Sequence, residues 1–144
     1  MPRSFRWVSI CLRWVSLSLA LLAVHPARAE APDWDTLGEA GTVEVVTTDE
    51  DGATRETTVW IAVVDGAAYV RTGSSTWGDN VVRTSELELR AEGSSQAMRV
   101  DFVEDDALRE RVWQAFREKY GFSDWALGWI RGSRPKIMQL HPRE

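Results

Sequence analysis

Apolar and polar residues alternate with a period of two through most of the chain beyond residue 41, and the period lengthens once, near residue 108. Thr42 to Thr48 is rich in β-branched residues, with Val43 and Val45 on one face, which predicts a strand. Asp49-Glu50-Asp51-Gly52 follows as a turn. Between Arg55 and Val64, Val59, Ile61 and Val63 share one face while Trp60, Ala62 and Val64 share the other. Two apolar faces predict one central, buried strand, with Trp60 in the core. Asp65-Gly66 is a strong hairpin signal and leads into a strand over Ala67 to Thr72. Trp77 to Thr84 reads as one or two helical turns with Thr76 as N-cap. Glu86 to Glu92 alternates cleanly, Leu87 and Leu89 pointing inward. After Gly93-Ser94-Ser95, Met98, Val100 and Phe102 share a face of a strand over Gln96 to Val103.

The longer period belongs to Leu108, Val112, Phe116 and Tyr120, an amphipathic helix. Asp105 and Asp106 suit its start, Arg117 and Lys119 its last turn, and Gly121 its stop. Phe122 to Gly132 carries Trp125 and Trp129 one helical turn apart, and Lys136 to His141 reads as a last strand. Five strands, a helix and a sixth strand predict a small, mainly β (α+β) antiparallel barrel.

The first 29 residues break this pattern. They hold four arginines, no acid, an apolar run from Val15 to Val24, and Ala27-Arg28-Ala29 at their end. That is the form of a signal peptide cleaved after Ala29, which predicts an exported, periplasmic or secreted protein. An uncleaved membrane anchor is the alternative, although the apolar run falls short of the roughly 20 residues a span requires. Residues 30–41 then read as a polar lead-in and residues 42–144 as one domain. The single cysteine, Cys11, lies in the N-terminal segment, so no disulfide is available to the domain. All 22 acids but only 13 of the 17 bases follow residue 29. So negative a domain repels phosphate backbones, which excludes nucleic acid as the expected partner.

Candidate chemistry concentrates in Tyr69-Val70-Arg71-Thr72-Gly73-Ser74-Ser75-Thr76. Arg71 can make a bidentate contact with a phosphate, Thr72, Ser74, Ser75 and Thr76 can donate from hydroxyls, and Gly73 lets backbone N–H groups approach. A helix beginning near Trp77 would add its positive end. The plainer reading is an ion-paired arginine beside an ordinary polar loop. His141 is the only histidine beyond residue 29, which supports neither a metal site nor a Ser/His/Asp set. Six of the eight tryptophans also lie beyond residue 29, more than a small barrel can fully bury, and Trp77, Trp125 and Trp129 either pack half-buried around the helix or belong to a dimer interface or an aromatic-lined ligand cleft.

The order "TTVWIAVVDGAAYVRTG…W" (57–77), "REKYG" (117–121) and "LHPR" (140–143) resembles the flavin-reductase-like and pyridoxamine 5′-phosphate oxidase-like split β-barrels. Within them it is similar to a bacterial domain family of uncharacterised function. The resemblance spans roughly Thr42 to Arg143. It implies a six-stranded Greek-key split barrel, a homodimer, and a site for FMN or a related flavin or deazaflavin as small-molecule ligand. In such proteins the cofactor phosphate is held at the end of the third strand and in the loop beyond it, here Tyr69 to Thr76. Thr57, Thr58 and Trp60 would then flank the ring system. The pattern departs in one respect. Relatives carry a base a few residues into that loop, whereas this chain has Thr76-Trp77-Gly78-Asp79, leaving Arg71 and Arg83 as local positive charges. An oxidoreductase of unknown substrate follows if the cofactor binds. A barrel that has lost the cofactor and binds a ligand or partner through its tryptophans follows if it does not.

Overall fold

The computed structural model describes residues 32–121 and 135–143. Trp125, Trp129 and the segment read as a signal peptide lie outside them. Among the described residues seven strands form one antiparallel sheet: β1 (Val43–Thr48), β2 (Thr54–Val59), β3 (Ile61–Val64), β4 (Ala67–Thr72), β5 (Glu86–Ala91), β6 (Ser94–Phe102) and β7 (Lys136–Pro142). Helix α1 (Trp34–Glu39) precedes β1, α2 (Thr76–Thr84) follows β4, and α3 (Asp106–Tyr120) follows β6. The strand order is β2-β1-β5-β6-β7-β4-β3.

That order explains why seven strands appear where six were expected. The predicted strand from Arg55 to Val64 is interrupted at Trp60, and its halves, β2 and β3, lie at opposite edges of the sheet. It is therefore not a central strand. The sheet curls, and the covalent chain at Trp60 joins the two edges where no ladder of hydrogen bonds does. The apolar run had a different cause. Val59 and Ile61 face the barrel interior, while Ala62 packs beneath α3, so β3 is covered on both sides without being central.

Two apolar layers hold the fold. Val45, Ile61, Ala68, Val70, Leu89, Met98, Val100, Met138 and Leu140 fill the barrel interior. On the other face of β3, β4 and β7, Tyr69 and Ile137 meet Val112 and Phe116 of α3. Each fully buried side chain of this size contributes about 1.5–3 kcal/mol. The residues read as an irregular lead-in include α1, N-capped by Asp33, whose Leu37 joins the interior core. Trp77, also a candidate for an interface, is 6% exposed and belongs to that core. The hairpin signals are realised as expected: Asp65 and Gly66 both have positive φ, as a primed turn demands.

Candidate functional site

β4 divides the candidate residues by the alternation of its side chains. Ala68 and Val70 point into the barrel, whereas Tyr69 and Arg71 point outward beneath α3. The Arg71 guanidinium carbon lies 3.9 Å from the centroid of the Phe116 ring and 4.6 Å from that of Trp113. Phe116 stacks against Tyr120 at 5.8 Å, and Tyr120 stacks on Trp60 at 4.5 Å with only 7° between the rings. Trp60, Tyr69 and Arg71 thus join one aromatic layer under α3. Burial pushes the phenols of both Tyr69 and Tyr120 above their usual range.

The Tyr120 hydroxyl also serves the bend at Trp60. It accepts from the Ile61 N–H at 3.1 Å and lies within donating distance of the Ile61 and Gly41 carbonyls, at 2.8 and 2.9 Å. Lys119 Nζ donates to the Ile61 carbonyl at 2.9 Å, and burial lowers its pKa. The last turn of α3 therefore satisfies backbone groups that the interrupted strand leaves without a ladder partner.

Thr72 turns the other way, toward α2. Its Oγ1 is 2.6 Å from Ser75 Oγ, and Ser75, rather than Thr76, caps α2 by accepting from the Gly78 N–H at 3.2 Å. The packing is close: a Cβ on Gly78 would lie 2.5 Å from Thr72 Oγ1. Two of the candidate hydroxyls are thus engaged in the helix cap, while Ser74 and Thr76 are exposed. Arg83, near the far end of α2, donates to the Thr48 carbonyl and to Asn80 Oδ1. Asn80 is buried and donates to Asp49 Oδ1 at 2.6 Å and Thr47 Oγ1 at 3.1 Å. Asp49 in turn takes a bidentate contact from Arg55, which with Asn80 lowers its pKa. Thr57 and Thr58 sit on the edge strand β2, opposite Val45 and Glu44.

The sequence reading missed two cations. Lys136, the first residue of β7, is the cross-strand partner of Thr72. With Arg109 of α3 it lines an open cleft of about 310 Å³ whose other walls include Val82, Phe102 and Ile137. Lys136 brings a base from a strand distant in sequence beside the end of β4. Only the pairing of β4 with β7 reveals it. Among the described residues no group of three metal-ligating side chains occurs, and His141 Nε2 lies 3.1 Å from Asp101 Oδ2.

Residues 33–139 match the model of a family described as "Uncharacterized protein conserved in bacteria (DUF2255)". The chain belongs to this family. A search of curated proteins finds no significant match. Among solved structures, the DUF2255 chain is similar to the conserved hypothetical protein Rv2991 from Mycobacterium tuberculosis, with a TM-score of 0.64 and 18% identity over 83% of this chain and 87% of that one. It is similar to HutZ, a heme storage protein from Vibrio cholerae, with a TM-score of 0.60 and 15% identity over 74% and 84%. It is similar also to an F420-H2 dependent reductase (FDR-A), with a TM-score of 0.57 and 15% identity over 70% and 94%. At these identities the likeness establishes the fold, that of the pyridoxamine 5′-phosphate oxidase-like split barrels.

Proposed function

We propose that this DUF2255 protein binds a ring-bearing, phosphate-carrying cofactor of the flavin or deazaflavin class at the barrel rim where β4 ends and β7 begins. The observation that carries the reading is the meeting of the Tyr69 to Thr76 stretch with Lys136, opposite Thr72 in the sheet. The residues fit such a group. Lys136 and Arg109 supply charge for a phosphate, exposed Ser74 and Thr76 supply hydroxyl donors, and Phe102 offers a ring face. Structural neighbours named for F420 reduction and for pyridoxamine phosphate oxidation support the same cofactor class. When bound, a flavin or deazaflavin supplies hydride or electron transfer, and the protein's part is to hold and orient it.

One relative is a domain-swapped dimer, which supports a homodimer here. The basic and then apolar pattern of residues 1–29 supports export. A second reading, a barrel that binds a ligand or partner without a redox cofactor, draws on two features. Thr72 and Ser75 are engaged in the α2 cap, and Asp79 stands exposed in the first turn of α2. Titration of the purified protein with FMN, followed by tryptophan quenching and visible absorption, separates the two. The cofactor reading expects saturable quenching and a yellow complex, whose affinity for FMN falls more than that for riboflavin in Lys136→Ala. Absence of quenching with FMN and F420 alike favours the second reading.

A further inference from the structure

The cations of the described residues are nearly all engaged. Arg55, Arg90, Arg99, Arg111, Arg117 and Arg143 pair with carboxylates. Arg83 and Lys119 donate to carbonyls, and Arg71 lies between aromatic rings. Among the described residues Arg109 and Lys136 form no ion pair and donate no side-chain hydrogen bond. Both line the same cleft. That cleft also holds Val82, 49% exposed and the large hydrophobic residue most at odds with its surroundings among those described. Phe102 contributes a ring, with Lys136 Nζ 5.9 Å from its centroid. Solvated cations and an exposed valine are each common alone. Their convergence on one concavity of about 310 Å³, in a chain of net charge −5, is not accounted for by packing.

We propose that the cleft between α2 and α3 binds a small planar aromatic anion, with its ring against Val82 and Phe102 and its carboxylate or phosphate between Lys136 and Arg109. The chemistry follows from the lining. An apolar wall removes a ring from water, and two flexible cations grip one anionic group. Glu104 also lines the cleft and opposes the anion. A single anionic head is thus favoured over a multiply charged polyanion. The site shares Lys136 and Arg109 with the cofactor reading but stands without it, because an anionic group between these cations can be a flavin phosphate or the carboxylate of a separate aromatic acid.

The test is calorimetric titration of the full chain with 2-naphthoate, using 2-naphthamide as the uncharged control. Naphthoate is expected to bind and to weaken with salt, and naphthamide to bind roughly tenfold less tightly. Lys136→Ala and Arg109→Ala should each weaken naphthoate by roughly tenfold and leave naphthamide unchanged. Glu104→Gln should tighten naphthoate, a gain that no structural loss produces. Val82→Glu, at an exposed position, should weaken both probes without changing the melting temperature. FMN affinity that falls relative to riboflavin in Lys136→Ala identifies a cofactor phosphate as the anion. Naphthoate binding that persists under saturating FMN identifies a separate ligand. If FMN does not bind but naphthoate does so with this charge dependence, the cleft stands and the flavin reading fails. No naphthoate binding at millimolar concentration, or equal affinity for the two probes, overturns the proposal. So does binding indifferent to both cation substitutions in variants that melt as the wild type does.

Discussion

Tyr120→Phe isolates the device that joins the two edges of the sheet. The substitution keeps the ring on Trp60, 4.5 Å away, and removes only the hydroxyl. Ile61 is fully buried, and its carbonyl retains the bond from Lys119, so the loss falls on the Ile61 N–H, which has the Tyr120 oxygen as acceptor at 3.1 Å. A buried donor without a partner costs about 1–3 kcal/mol. For a domain of this size that corresponds to a fall in Tm on the order of 10 °C. Tyr120→Ala removes the stack and the buried ring as well, and should cost more, about 3–5 kcal/mol as other aromatic truncations do. Urea unfolding followed by circular dichroism reads both, with the midpoint moving and the slope unchanged. Equal losses for Phe and Ala would assign the whole effect to the hydroxyl and none to the ring. A Phe variant as stable as wild type would refute the claim that the hydroxyl pins the bend at Trp60.

Three other outcomes follow from the same geometry. Gly78→Ala should destabilise by about 1–3 kcal/mol, because its Cβ would lie 2.5 Å from Thr72 Oγ1, and Thr72→Ala should recover part of the loss in thermal melts. Asn80→Ala removes a buried donor to Thr47 and Asp49 and should cost about 1–3 kcal/mol in urea unfolding, while Asn80→Asp should cost more by setting a carboxylate beside that of Asp49. Asp49 is held below its usual pKa of 3.8 by hydrogen bonds from Arg55 and Asn80. Its contribution to stability is therefore fully present above that value and is lost as pH falls through the lower folded-state pKa. Asp49→Asn should accordingly flatten the acid limb of stability against pH, and an unchanged limb would show that other carboxylates govern it.

Much of the fold was legible because each signal was local. Asp65-Gly66 demanded a primed turn, Leu87 and Leu89 alternated on a half-exposed strand, and the four-residue spacing from Leu108 to Tyr120 announced α3. The break at Trp60 was not legible. Nothing in "TTVWIAVV" distinguishes a straight buried strand from one bent across a barrel, and the groups that satisfy the bend come from residues 119 and 120. Ser75 displaced Thr76 as the cap because an extended Ser75 can share a hydrogen with Thr72, a contact across the loop. The candidate site was legible in part for the same reason. Trp60, Tyr69 and Arg71 do meet, but through rings of α3. Lys136 and Arg109 carry no local motif and reach the cleft only through the pairing of β4 with β7 and the crossing of α3.

The proposed binding of a ring-bearing anion of flavin type at the barrel rim, where β4 ends and β7 begins, has a residue-by-residue signature. Amide chemical shifts of the isotopically labelled protein, followed through a titration with FMN, test it most directly. Saturable shifts are expected at Arg71, Thr72, Ser74, Thr76, Val82, Arg109 and Lys136, with the outer face of β5 and β1 unmoved. Shifts confined to that outer face, or none at saturating FMN, would contradict it.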